Sequence, residues 1–135
     1  MTQEESEKKW FRTICYEKNW DDTESRIWTI FDINEIRKRD WYQEEFIKAA
    51  KGSWATGLLG FCANIKSRPL NQFEIEYVIQ TLSVYGSDYA KEGAINVLDC
   101  WDEPSLLPLV ENIKLSDVHL DNYLIECKDR WRRGR

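Results

Sequence analysis

Apolar residues recur at helical spacing along most of the chain. Near the C-terminus, Leu120, Leu124 and Cys127 share one face, with Val118, Ile125 and Trp131 widening the stripe. Asp117 stands where an N-cap belongs, and the arginines of the last turn suit the helix dipole. Just upstream, Asp102 is placed to cap a short helix with Pro104 in its first turn. Pro108 is positioned to kink that helix, whose expected buried side is Leu106, Leu109, Val110 and Ile113.

The same pattern continues toward the N-terminus. Ser87 or Asp88 begins a helix carrying Tyr89, Ala90, Ala94, Ile95, Val97, Leu98 and Trp101. Gly86 is placed to end the helix before it, and Asn71 with Glu74 has capping-box spacing to begin that one. Phe73, Tyr77, Val78, Thr81, Leu82 and Tyr85 line its face. Asp40 with Gln43 marks another start, followed by Trp41, Phe46, Ile47 and Ala50. Gly52-Ser53 breaks this segment, and Ser53 opens a helix bearing Trp54, Leu58, Leu59, Phe61 and Cys62. Gly57 and Gly60 on that helix point to close packing rather than a ligand loop.

Residues 1–38 admit two readings. Stretches 8–17 and 25–33 mix β-branched and aromatic residues in partial alternation, so a β-hairpin turning at 19–25 is one. Two helices are preferred, because Ile27, Trp28, Ile30, Phe31, Ile33 and Glu35 also form a helical face and an isolated hairpin is marginal. The expected fold is a single all-α domain over residues 1–135.

Composition supports a globular body. Of 135 residues, 42% are hydrophobic and 32% charged, which excludes a disordered chain. No apolar run approaches the roughly 18–20 residues of a membrane span. The opening MTQEESEKKWFRT lacks an apolar stretch and predicts no secretory leader. Cys15, Cys62, Cys100 and Cys127 form no close pair, which suggests reduced thiols and a cytoplasmic protein.

Charge changes the picture more. The net charge is −5, but residues 71–129 hold 12 acidic and 3 basic residues, while 130–135 read RWRRGR. Such an acidic block repels phosphate backbones and attracts basic surfaces. The tail is expected to be a solvated end.

A shift of 30 positions aligns Ile95 with Ile125, Asp99 with Asp129 and Trp101 with Trp131. That is the period of an α-solenoid. The run from Asp88 to Leu98, followed by Trp101-Asp102-Glu103-Pro104 and Leu106-Leu107-Pro108-Leu109, resembles a HEAT-like repeat over about residues 71–131. The resemblance implies a short solenoid of antiparallel helix pairs and carries no catalytic residues. Gly93 departs from the usual mid-helix alanine. In size and acidity the chain also resembles immunity proteins of bacterial polymorphic toxin systems, including contact-dependent growth inhibition. That implies a cytosolic protein that blocks a cognate toxin, often a basic nuclease.

No residue pattern in the chain points to reaction chemistry. His119 is the single histidine, and no residue pattern positions it in a triad. The cysteines lack the tight pairs of zinc sites, and Cys62, Cys100 and Cys127 fall on expected apolar faces. Asp21-Asp22, Glu44-Glu45 and Asp102-Glu103 are adjacent acids with no sign of a cleft. No phosphate-loop glycine pattern is present. No metal or cofactor is expected.

Lys51, Lys66 and Arg68 form a small basic patch and Arg130, Arg132, Arg133 and Arg135 another, which keeps a HEAT-like nucleic-acid enzyme such as a DNA glycosylase as the alternative, beside a scaffold subunit. Trp28, Trp41, Trp54, Trp101 and Trp131 are expected in the core, leaving Trp10 and Trp20 as candidate anchors. The favoured reading is non-enzymatic binding of a basic protein toxin, with neither nucleic acid nor membrane as partner. The candidate contacts are Asp99, Trp101, Asp102, Glu103, Asp117, Asp121 and Glu126, which cluster at helix ends around the repeated unit.

Overall fold

The computed structural model describes residues 2–16, 33–50, 56–65, 69–85 and 87–134. These form an all-α fold. In chain order the helices are α1 (Gln3–Tyr16), α2 (Ile33–Ile36), α3 (Asp40–Ala49), α4 (Thr56–Ala63) and α5 (Gln72–Gln80). A π-helical turn (Thr81–Tyr85) extends α5. Then come α6 (Asp88–Trp101), a 3-10 turn (Pro104–Leu106), α7 (Leu107–Val110) and α8 (Val118–Arg133). Residues 8–16 are helical, so the hairpin reading fails at its first arm. The expectations for Trp20, Asp21, Asp22, Gly52, Ser53, Trp54, Gly86, residues 25–32 and the basic patch of Lys51, Lys66 and Arg68 lie outside the described residues.

Three caps follow the sequence signals. Asn71 and Glu74 form a capping box, in which the Asn71 N–H donates to Glu74 Oε1 at 3.0 Å. Ser87 Oγ accepts from the Ala90 N–H at 3.2 Å, and Asp117 Oδ1 from the Leu120 N–H at 3.0 Å. Each satisfies a donor that the helix start leaves orphaned.

Two expected caps are displaced. Asp40 is the first residue of α3 and Arg39 takes the cap position, leaving Asp40 as a first-turn acid that suits the dipole. Asp102 does not open the next element but closes α6, in the left-handed conformation at φ 46°. Aspartate enters that region more readily than most residues. Glu103 then precedes the 3-10 turn, with Pro104 first in it.

Helix α6 packs between α4 and α8 and also touches α5. Helix α1 packs on α4, α3 on α5, and α7 on α8. Gly57 lets α1 and α4 meet, because a methyl there would overlap the Cys15 carbonyl oxygen. An aromatic cluster knits these helices. Phe11 stands edge-on to Trp41, Tyr42 and Phe61 at 5.6, 5.4 and 4.9 Å between ring centres. Phe46 continues it to Phe73 and Tyr77, each at 5.6 Å.

Several buried stripes are rotated from their expected positions. Ile47, Tyr89, Leu109, Val118 and Ile125 are exposed. Tyr42 and Glu45 are buried on α3, Leu107 on α7, and Lys128 on α8. The Lys128 ammonium donates to the carbonyls of Glu111 (3.3 Å) and Ile113 (2.8 Å), capping the loop ahead of α8. A paired polar group can thus take a core-facing position that an apolar template assigns elsewhere. Trp10 is buried, which removes it as an anchor, and Cys100 is exposed rather than on an apolar face. Among the described residues, no helix is long and apolar enough to cross a membrane.

Candidate functional site

Six of the seven candidate contacts separate into three places. Asp99 and Asp102 meet at the C-terminal end of α6, where both bond Arg130 of α8, at 2.6 and 3.3 Å. Asp117 and Asp121 flank the start of α8, and Glu126 lies exposed further along it. Glu103 lines an open cleft of about 540 Å³ with Pro69, Leu70, Ile75, Ser105 and Leu106. The Ser105 hydroxyl donates to Glu103 Oε1 at 3.0 Å. Trp101 belongs to none of these. It is buried, with its indole N–H donating to the Cys62 carbonyl at 2.7 Å, and offers a partner no surface.

Several of these carboxylates also hold the fold. Asp117 caps α8, and Asp121 Oδ1 accepts from the Leu115 N–H at 2.9 Å. Asp102 Oδ1 accepts from the Trp131 indole N–H at 3.1 Å. Asp117 and Asp121 keep partial exposure, and Asp102 is exposed.

The arginines as far as Arg133 are not a solvated tail. They form the last turns of α8, where Arg132 pairs with Glu111 and with Asp129 (2.9 Å), and Arg135 lies outside the described residues. Arg130 and Arg132 therefore neutralise the acids around the C-terminal half of α8. Those pairs are surface pairs, each worth about 0–1 kcal/mol. The first half of α8 keeps its acidity, since residues 115–127 contain Asp117, Asp121 and Glu126 and neither Lys nor Arg.

Buried charges escaped sequence reasoning. Glu74 is fully buried and accepts from Arg37 Nε (3.1 Å) and Nη2 (2.8 Å), from the Tyr42 hydroxyl (2.7 Å) and from the Asn71 N–H. Arg37 also donates to the Pro69 carbonyl at 3.1 Å. Glu7 is buried against Arg39, which bonds it through two nitrogens at 3.0 and 3.1 Å. That pairing lowers the Glu7 carboxyl below its ordinary value, against the opposing effect of burial. The capping-box spacing was the one available signal for Glu74; its arginine lies 37 positions away.

The three buried thiols are not activated. Burial raises Cys15 and Cys62 well above the ordinary cysteine value. Cys127 is raised to about 11, again chiefly by burial. Nucleophilic cysteines are shifted the other way. His119 is exposed on α8. Among the described residues, no three His, Cys, Asp or Glu side chains are grouped to hold a metal ion.

Comparison of the chain with protein-family models, curated proteins and solved structures finds no match.

Proposed function

We propose that this chain is a non-enzymatic, cytoplasmic immunity protein that binds a basic protein toxin and occludes its active site. One observation carries the reading. Of the 12 acids in residues 71–129, all but Glu74 keep some exposure, whereas one of the 3 bases there, Lys128, is buried. Folding thus leaves the acidic block at the surface, where it steers a basic partner and repels nucleic acid and anionic lipid.

The HEAT-like reading is part of the same proposal. Trp101 at the end of α6 donates to Cys62 at the end of α4, and Trp131 at the end of α8 donates to Asp102, the cap of α6. Two tryptophans 30 positions apart thus each donate to the end of a packed neighbouring helix, Trp101 to a backbone carbonyl and Trp131 to a side-chain carboxylate, which supports a stacked-repeat reading.

The test is capture on the immobilised protein from a lysate of its native host. The expected partner is a basic protein whose enzymatic activity stops when this chain is added in equal amount. A captured protein whose activity is unchanged overturns toxin neutralisation. Retention of nucleic acid, lost steeply with salt, favours the glycosylase-like alternative.

A further inference from the structure

We infer that the outward face of α8 docks a basic, amphipathic helix of the partner; this rests on the protein-binding reading above. Val118 is 68% exposed and Ile125 is 40% exposed. They lie seven positions apart, so they share the side of α8 opposite the buried Leu120, Leu124, Cys127 and Trp131. Exposed Asn122 lies between them, and Asp121 and Glu126 border the strip on either side.

Single exposed apolar residues are common and by themselves identify no partner. The charge around this strip does. Residues 115–127 bring three acids and neither lysine nor arginine. A second copy of the chain fits poorly. Antiparallel pairing that sets Val118 against Ile125 of the other copy also brings Asp121 beside Asp121 of that copy on one edge of the strip, acid on acid. Nucleic acid and anionic lipid are repelled by the same carboxylates. A helix with apolar residues on one side, bordered by lysine or arginine, satisfies both the strip and its borders. Two aliphatic anchors within a polar rim match the anatomy of a small interface.

The probe is a four-turn Leu/Lys amphipathic peptide, with a Leu/Glu peptide of the same pattern as its counterpart. Amide shifts of the isotope-labelled protein should map Leu/Lys binding to residues 118–126. Ile125→Lys should weaken that binding about tenfold, and Ile47→Lys, at an exposed site on α3, should leave it unchanged. Circular dichroism verifies that both variants are folded. The surface is overturned if the Leu/Lys peptide does not bind, if shifts map elsewhere, if the Leu/Glu peptide binds equally well, or if Ile125→Lys binds like wild type. A natural basic partner still held by Ile125→Lys would overturn this surface and leave the binding reading intact. Failure of the wild type to retain any basic protein would overturn that reading itself.

Discussion

Arg37 and Glu74 form a two-pronged ion pair inside the protein, with Glu74 fully buried and Arg37 8% exposed. The pair joins the turn after α2 to the start of α5, and Tyr42 brings α3 to the same carboxylate. Removing one partner strands a buried charge, which costs about 3–5 kcal/mol. Glu74→Leu and Arg37→Met should each lose that much in chemical denaturation. The double variant should regain part of the loss, because no lone charge remains. Strictly additive losses would show that the two residues are not coupled.

Gly57 and Gly93 should respond differently to alanine. At Gly57 the new methyl meets the backbone of Cys15, which cannot step aside, so a loss of about 3 kcal/mol is expected. At Gly93 it comes within 3.1 Å of Leu59 Cδ1, the far end of a side chain. There the helix preference for alanine, about 1 kcal/mol, offsets the contact, and stability should change little. Thermal unfolding of the two variants checks the contrast.

Asp102 combines a left-handed backbone with two side-chain bonds. Asp102→Asn keeps an acceptor for Trp131 and tolerates the backbone. Asp102→Ala loses the acceptor and incurs about 1–2 kcal/mol for the left-handed conformation. Asp102→Gly relieves the backbone alone and should fall between them. A stability order with alanine equal to asparagine would remove the Trp131 bond from the explanation.

Glu7 should make stability depend on acid pH. Its carboxyl is lowered in the folded state, first by the Arg39 hydrogen bonds. Its contribution is present above the ordinary glutamate range and is lost as pH falls through the folded value. The stability difference between wild type and Glu7→Gln should therefore be largest near neutrality and shrink on acidification. A difference independent of pH would contradict the assignment.

Brief alkylation of the native protein at neutral pH should modify Cys100 ahead of the other thiols. Cys100 is exposed, whereas Cys15, Cys62 and Cys127 are buried and raised. Thiolate fraction and access govern the rate. Peptide mass mapping reads the order, and equal labelling of all four would contradict the packing.

Local signals in the sequence determined the helical class, the caps at Asn71, Ser87 and Asp117, and the faces built on Leu120, Leu124, Cys127 and Trp131. Capping and periodicity act within a few residues, so a linear reading reaches them. Only tertiary structure decided which side of each stripe turned inward. Val118 and Ile125 read as core by periodicity, yet Lys128 takes the inward position because two carbonyls from the preceding loop accept its protons. Trp101 read as both core and contact, and the Cys62 carbonyl, 39 positions away, placed it inside. The arginines read as a solvated end until Asp99, Asp102 and Glu111 came alongside. Such pairings join residues far apart in the chain, and periodicity carries no information about which distant partner a polar group will find.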